Sequence, residues 1–462
     1  MCPLYVAGLI GPGDRKSVGP MAERVAPGDY DRLHHFVSDG VWDEAPLECE
    51  LALQADKLVG GADAFLVIDD TALPKKGTHS VGVAPQYASA LGKTANCQTL
   101  VSLTLARGEV PVMVGLRLFL PETWSGEKVR LERAGVPAEY RSARTKSEIA
   151  LAELDRLIAA GVRFGTVLAD AGYGMGAEFR QALSARGLAW AVGIPRHQKV
   201  YPRDVELVFP IAGRGRPRKR HVPNVLSVSA EDMFAHAKWR TLAWRKGTKG
   251  PLKARFAAVR VRVADGPPQR IGDKGMQHMP GEEVWLVGER RASGEQKYYL
   301  ANLPADANLK TLAATIKARW VCEQAHQQLK EELGLDHFEG RSWRGLHRRA
   351  DDHDRLRLPP ASPPRRRERG KKESRPARLS RPCRPYEKPS SSPWPAPRPT
   401  DVHTAADKSA DRSLESAKVV LSAIAQSPPP SCWKAIAPKN AARATRRSRL
   451  LSRVELVAAR WQ

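Results

Sequence analysis

Ala64-Phe-Leu-Val-Ile-Asp-Asp70 and Gly165-Thr-Val-Leu-Ala-Asp170 are the stretches whose reading decides the fold. Each is a short apolar run that stops on acid, the pattern of a strand buried on both faces. Around the first lie strand-like runs over residues 79–84, 97–106 and 110–120, the last two joined by Arg107-Gly108-Glu109 as a hairpin turn. Around the second lie helical periodicity over residues 145–160 and 177–186 and a further apolar strand over 189–194. Hairpins followed by alternating strand and helix predict a mixed α/β sheet with flanking helices.

Working outward, residues 20–60 read as helices of a small N-terminal region, for which DNA contact is an option. Residues 197–303 change character: Pro, Gly and charge surround β-rich runs at 257–263, 283–287 and 298–303, which predicts a mainly β insertion. Residues 309–333 then read as one long helix. The expected organisation is a helical region (1–60), a first core segment (61–196), the insertion (197–303), a helix that closes the core (304–346) and a tail (347–462).

The 462 residues carry a formal charge of +25, with 75 Lys and Arg against 50 Asp and Glu. Such an excess makes a polyanion the first partner to consider, since each cation near a phosphate releases condensed counterions. An acidic substrate or an anionic membrane surface stays open on charge alone. The tail supplies +16 of the total and 16 of the 36 prolines, so it reads as disordered. No run approaches the length of a membrane span, and the start lacks a secretory pattern. The six scattered cysteines give neither zinc spacing nor a disulfide framework. A reducing cytoplasm fits these features.

Asp70 and Asp170 fall where the two strands are expected to end, and sheet enzymes bind ligands beyond strand ends. Either Asp taken singly is as well explained by a turn. On the closing helix, Glu323 lies about 40° and Lys330 about 20° around the axis from Arg319, so the three share one stripe. A carboxylate between two cations suits metal and phosphate; an exposed Arg-Glu ion pair is the plainer explanation. Together Asp70, Asp170 and Glu323 permit two-metal chemistry on hard oxygen ligands.

Several separate motifs occur in one order: Val67-Ile-Asp-Asp-Thr-Ala-Leu-Pro-Lys-Lys-Gly77, Ser80-Val-Gly-Val83, Leu168-Ala-Asp-Ala-Gly-Tyr-Gly174, Arg319-Trp-Val-Cys-Glu323, and the run from Glu332 to Gly345. Over residues 11–346 the chain resembles bacterial insertion-sequence transposases of the DDE endonuclease superfamily, in the branch with a Tyr-x2-Arg-x3-Glu-x6-Lys helix. The resemblance implies a ribonuclease-H-like core interrupted by a β insertion. It also implies Mg²⁺- or Mn²⁺-dependent cleavage at transposon ends, and joining to target DNA by the freed 3′-hydroxyl. By the same carry-over, Asp70, Asp170 and Glu323 hold the metals, while Arg319 and Lys330 contact phosphate. The partners implied are double-stranded DNA, terminal inverted repeats and a second copy of the chain as a homodimer on DNA.

Asp69 rivals Asp70, because neighbours in a strand point to opposite faces; the Thr that follows Asp70 favours Asp70. At the family's Tyr stands Ile316, which has no hydroxyl to offer a phosphate, and this favours an alternative in which an impaired relative only binds DNA. Lys75, Lys76 and Lys93 are softer phosphate candidates. Arg214, Arg216 and Arg218, in Gly213-Arg-Gly-Arg-Pro-Arg-Lys-Arg220, resemble a minor-groove hook, with a solvated loop equally open. Trp320 reads as core. The family pattern stops near Arg348. One choice of codons for residues 350–360, shifted by one base, encodes an apolar helical segment, so the tail is either a frameshift product or a basic arm that binds DNA nonspecifically.

Overall fold

The computed structural model describes residues 1–40, 44–209, 220–247, 250–270 and 275–348. The tail from 349 onward and the basic loop holding Arg214, Arg216 and Arg218 therefore lie outside the described residues, and the expectations placed on them stay untested.

Twelve strands form one mixed sheet: β1 (Phe65–Pro74), β2 (Ala84–Ala88), β3 (Lys93–Arg107), β4 (Val110–Phe119), β5 (Thr166–Ala169), β6 (Ala189–Ile194), β7 (Lys199–Pro202), β8 (Val228–Ser229), β9 (Arg240–Gly247), β10 (Gly250–Val263), β11 (Glu283–Arg290) and β12 (Gln296–Ala301). Their order is β8-β7-β10-β11-β12-β6-β5-β1-β3-β2, with β4 beside β3 and β9 beside β10. β1 is central, antiparallel to β3 and parallel to β5, which in turn is parallel to β6. This placement explains the unbroken apolar run before Asp69, since such a strand needs apolar residues on both faces.

The β-rich stretch expected as an insertion is continuous with the core sheet. Tyr298 pairs with Ile194 and Ala301 with Ala191, so β12 extends the sheet directly from β6.

Nine helices matter to the site. α1 (Cys2–Ile10), α2 (Val18–Val25) and α3 (Tyr30–Ser38) share a small core of Tyr5, Leu9, Met21, Leu33 and Val37. α4 (Ala45–Val59), α5 (Lys146–Ala159) and α7 (Ala177–Ala185) cover one face of the sheet, where Leu66 and Ile68 meet Ala52, Ile149, Leu154 and Phe179. The short α6 (Ala171–Gly174) follows Asp170. α8 (Leu309–Ala318) and the start of α9 (Trp320–Glu331) cover the other face, where Val67, Leu168 and Ala191 meet Leu312, Ile316 and Val321. No helix among the described residues is long and apolar enough to cross a membrane.

Four expectations need correction. β1 runs on to Pro74, so Asp70 stands inside the strand instead of at its end. Residues 79–83 form no strand: Val81 N donates to Arg341 O at 3.1 Å, which ties this run to a later loop before β2 begins. The single helix expected over 309–333 is interrupted at Arg319, where Cys322 N bonds back three residues to Arg319 O at 3.2 Å. Finally, Cys49 is disulfide-bonded, which the scatter of cysteines did not suggest, while Cys97 and Cys322 are buried free thiols.

Candidate active site

The register of β1 and β5 locates the acids. Ile68 pairs with Ala169, so the next residues along the two strands, Asp69 and Asp170, come side by side. Val67 and Leu168 face α8 and α9, and strand alternation puts Asp69 on that same face and Asp70 on the opposite one. The hydrogen bonds agree. Asp69 Oδ2 accepts from Arg319 Nη1 at 2.6 Å and from the Cys322 thiol at 3.0 Å, both from the helical layer. Asp70 instead takes the Lys146 ammonium from α5 and the Tyr173 hydroxyl.

Arg319 is the hinge of this arrangement. Its other arm, Nη2, reaches Glu323 Oε1 at 3.0 Å, so a single guanidinium joins the β1 acid to the helix acid. Burial opposes the charge on Arg319, but the fields of Asp69, Cys322 and Glu323 hold its pKa above the ordinary value. Glu323 itself is open to solvent, 64% exposed, and keeps lone pairs for another cation.

Asp170 caps α6, accepting from Gly172 N at 2.9 Å and Tyr173 N at 3.3 Å. Two glycines let this turn press onto β6. A Cβ on Gly174 would lie 2.0 Å from Gly193 O, and one on Gly193 would lie 2.8 Å from Ala171 N. The Asp170 carboxyl is pushed above the usual carboxylate range by burial, then by the negative field of Asp69 and, less, of Asp70. Tyr173 is pushed well up by burial and by Asp70, so its hydroxyl stays protonated and donates.

α9 is docked to the strands by a polar stripe at helical spacing. Besides Arg319 and Cys322, His326 Nε2 lies 2.8 Å from Ser102 Oγ, which donates to Asp69 O at 3.0 Å, and Lys330 Nζ donates to Ala72 O at 2.9 Å. Burial lowers the pKa of Lys330. Thus Arg319 and Lys330, expected at phosphate, are engaged within the protein. Lys75 bonds Phe338 O, and Lys76 is exposed beside it. Lys93 is exposed at the start of β3. Ile316 is buried in the core beneath α8 and packs against apolar neighbours. Trp320 is half-buried under Arg245, whose guanidinium carbon is 3.5 Å from the ring centroid.

Sequence reading missed Lys146, Tyr173, Ser102 and His326. Tyr173 was present in the Asp-Ala-Gly-Tyr-Gly motif, and Lys146 follows Thr145, which with Glu148 forms a capping box at the start of α5. Ser102 and His326 carry no local signal, because their meeting depends on how α9 lies across β3.

The donor chemistry suits a hard divalent cation. Asp69 lies beside Asp170 by register, and the Asp170 carboxyl is raised first by burial and then by the field of Asp69, a charge that a cation would offset. Among the described residues no three such groups stand close enough to hold a metal ion, and Arg319 and Lys146 pair with the β1 acids.

The sequence profile described as DDE superfamily endonuclease matches residues 1–251, a stretch that includes both strand acids and stops before Glu323. A probable transposase for insertion sequence element IS701 from Microchaete diplosiphon is 34% identical over 191 residues, which cover 40% of this chain and 46% of that protein. The chain thus spans about half the length of this curated relative. Among solved structures, a piggyBac transposase synaptic complex with hairpin DNA aligns over 77% of this chain and 63% of its own, at 11% identity and a TM-score of 0.37, too distant to inform the fold.

Proposed function

The chain belongs to the DDE superfamily endonucleases, and from that premise we propose that it is a DNA transposase that cuts the ends of an insertion sequence and joins them to target DNA. The observation that carries this reading is the Arg319 bridge: one guanidinium ties Asp69 to Glu323 on the face where Asp69 stands next to Asp170. Arg319 thus links the helix acid to a β1 acid that lies beside the acid after β5. That arrangement supports a ribonuclease-H-like core.

Asp170 and Glu323, with one β1 acid, would hold Mg²⁺ or Mn²⁺. Such ions supply an activated water or 3′-hydroxyl and stabilise the leaving oxygen. Of the two β1 acids the geometry supports Asp69, while the Thr71 signature supports Asp70. The chain's own residues do the positioning. Ser102, His326 and Lys330 fix α9 against β1 and β3, and Tyr173 and Lys146 hold Asp70 on the far layer. A phosphate approaching Glu323 would compete for Arg319, which then turns from internal partner to DNA contact. Lys75, Lys76 and the hook at Arg214, Arg216 and Arg218 would add backbone or minor-groove contacts. Synapsis of two inverted repeats calls for a homodimer on DNA, acting in the cytoplasm.

The test is nicking of duplex DNA that carries the element's own ends, with Mg²⁺, by the full chain. Loss of nicking in Asp170→Ala with binding retained supports the proposal. Equal cutting of DNA without those ends would make the protein a general nuclease. A second reading, a relative that binds DNA without cutting it, is favoured by the internal cations on Asp69 and Asp70. Binding with no cut at any divalent ion would establish it.

A further inference from the structure

On the sheet face away from α8, two arginines stand directly opposite each other. Arg255 of β10 is the register partner of Arg290 of β11, and Thr241 of β9 flanks Arg255 on its other side. Cross-strand neighbours have Cβ atoms about 5 Å apart, and like charges placed so are destabilising. Lys253, two residues earlier on β10 and paired with Ala243, shares this face, while the alternate residues Ala254 and Phe256 are buried beneath α8. Lys253 and Arg255 are exposed, and among the described residues neither forms an ion pair with a carboxylate.

Arg290 is held in place, which makes its position more than chance. Its guanidinium carbon lies 4.0 Å from the centroid of the Trp239 ring. The indole can lie there because the neighbouring strand residue is Gly288: a Cβ at that position would come within 2.7 Å of Trp239 Cη2. Sequence therefore gives up a side chain on β11 to seat a tryptophan under an arginine that already faces another arginine. A polyanion offsets the repulsion so created.

The row lies toward the end of the sheet that carries the acids, but on the opposite face. β6 is parallel to β5 and pairs Ile194 with Tyr298, and Gln296, further out on β12, pairs with Arg290. From β10 to β5 is four strand spacings, about 19 Å.

We propose that Lys253, Arg255 and Arg290 form a track for the DNA phosphate backbone on the sheet face opposite the one that Asp69 shares with α8 and α9. The inference rests on DNA as the substrate. It adds a second place where DNA meets the protein: the face of β9, β10 and β11 away from α8.

The experiment uses the full chain and a duplex of random sequence, with affinity measured across a series of salt concentrations. Wild type is compared with Lys253→Ala/Arg255→Ala and with Lys128→Ala/Arg133→Ala, an exposed pair on another surface that changes net charge equally. The track predicts that the slope of log affinity against log salt falls by about 2 in the first variant and stays unchanged in the second. The basic tail contributes alike to all three. Equal slopes for wild type and the Lys253/Arg255 variant, or equal losses in both variants, overturn the track. Absence of DNA binding by wild type at low salt would instead overturn the transposase reading itself.

Discussion

Asp69, and not Asp70, stands beside Asp170. The two lie one residue beyond the paired Ile68 and Ala169, and Asp69 shares Arg319 with Glu323. Two adjacent carboxylates thus serve different layers of the protein, one facing α9 and the other facing α5. Asparagine at each position separates their roles. Asp69→Asn is expected to abolish metal-dependent nicking, as Asp170→Asn and Glu323→Gln would. Asp70→Asn is expected to cost about 10–100-fold, the range for a group that orients the site from outside. Full loss only in Asp70→Asn would reverse the assignment.

Gly174 and Gly193 allow the turn after Asp170 to sit on β6. Gly174→Ala drives a methyl into Gly193 O, a backbone atom that cannot swing aside. Destabilisation of about 1–3 kcal/mol follows, together with a loss of nicking greater than the drop in thermal midpoint explains, since Asp170 moves with the turn. Unchanged activity with a lower midpoint would show that the turn does not position the acid.

A buried charge network underlies β4. Arg117 donates to Glu153 at 2.9 Å and to Glu48 at 3.0 Å, and Arg156 also reaches Glu153 at 2.9 Å. Arg117→Met leaves two carboxylates with one cation in a buried site, at a cost of about 3–5 kcal/mol. Chemical denaturation of the variant would read this loss; a change below about 1 kcal/mol would mean that water or rearrangement replaces the guanidinium.

Acid should lower stability over two overlapping pH ranges. His347 is buried, and burial followed by the field of Arg117 lowers its pKa from 6.5 to about 3. Between those values the unfolded chain binds a proton that the folded chain refuses, so stability declines as pH falls from 6.5 toward 3. Burial raises the pKa of Glu153, but Arg117 and Arg156 outweigh it and bring the value from 4.5 to about 2. Its contribution is complete above 4.5 and is lost as pH falls through 2. Thermal midpoints against pH should show both regions, and His347→Gln should flatten the upper one alone.

Much of the fold was legible because it is written locally. The strand before Asp170, the hairpin at Gly108 and the periodicity over 145–160 each depend on nearest neighbours, and each became the element expected, while the strand through Asp70 runs four residues further. Where reading failed, a distant segment competed. Val81 bonds Arg341 instead of a strand, and the helix over 309–333 breaks at Arg319, the residue that reaches across to Asp69.

By itself the sequence determined a mixed α/β protein with acids on two strand-like runs and on a helix, since apolar period and charge are properties of the chain. It could not say which of Asp69 and Asp70 faces Glu323, because alternation along a strand fixes their opposition but not which side the closing helix covers. Nor could it show Arg255 opposite Arg290, because they belong to strands more than 30 residues apart whose register is set by the whole sheet. Those choices belong to tertiary structure, where packing of α8 and α9 on one face decides what every alternate side chain meets.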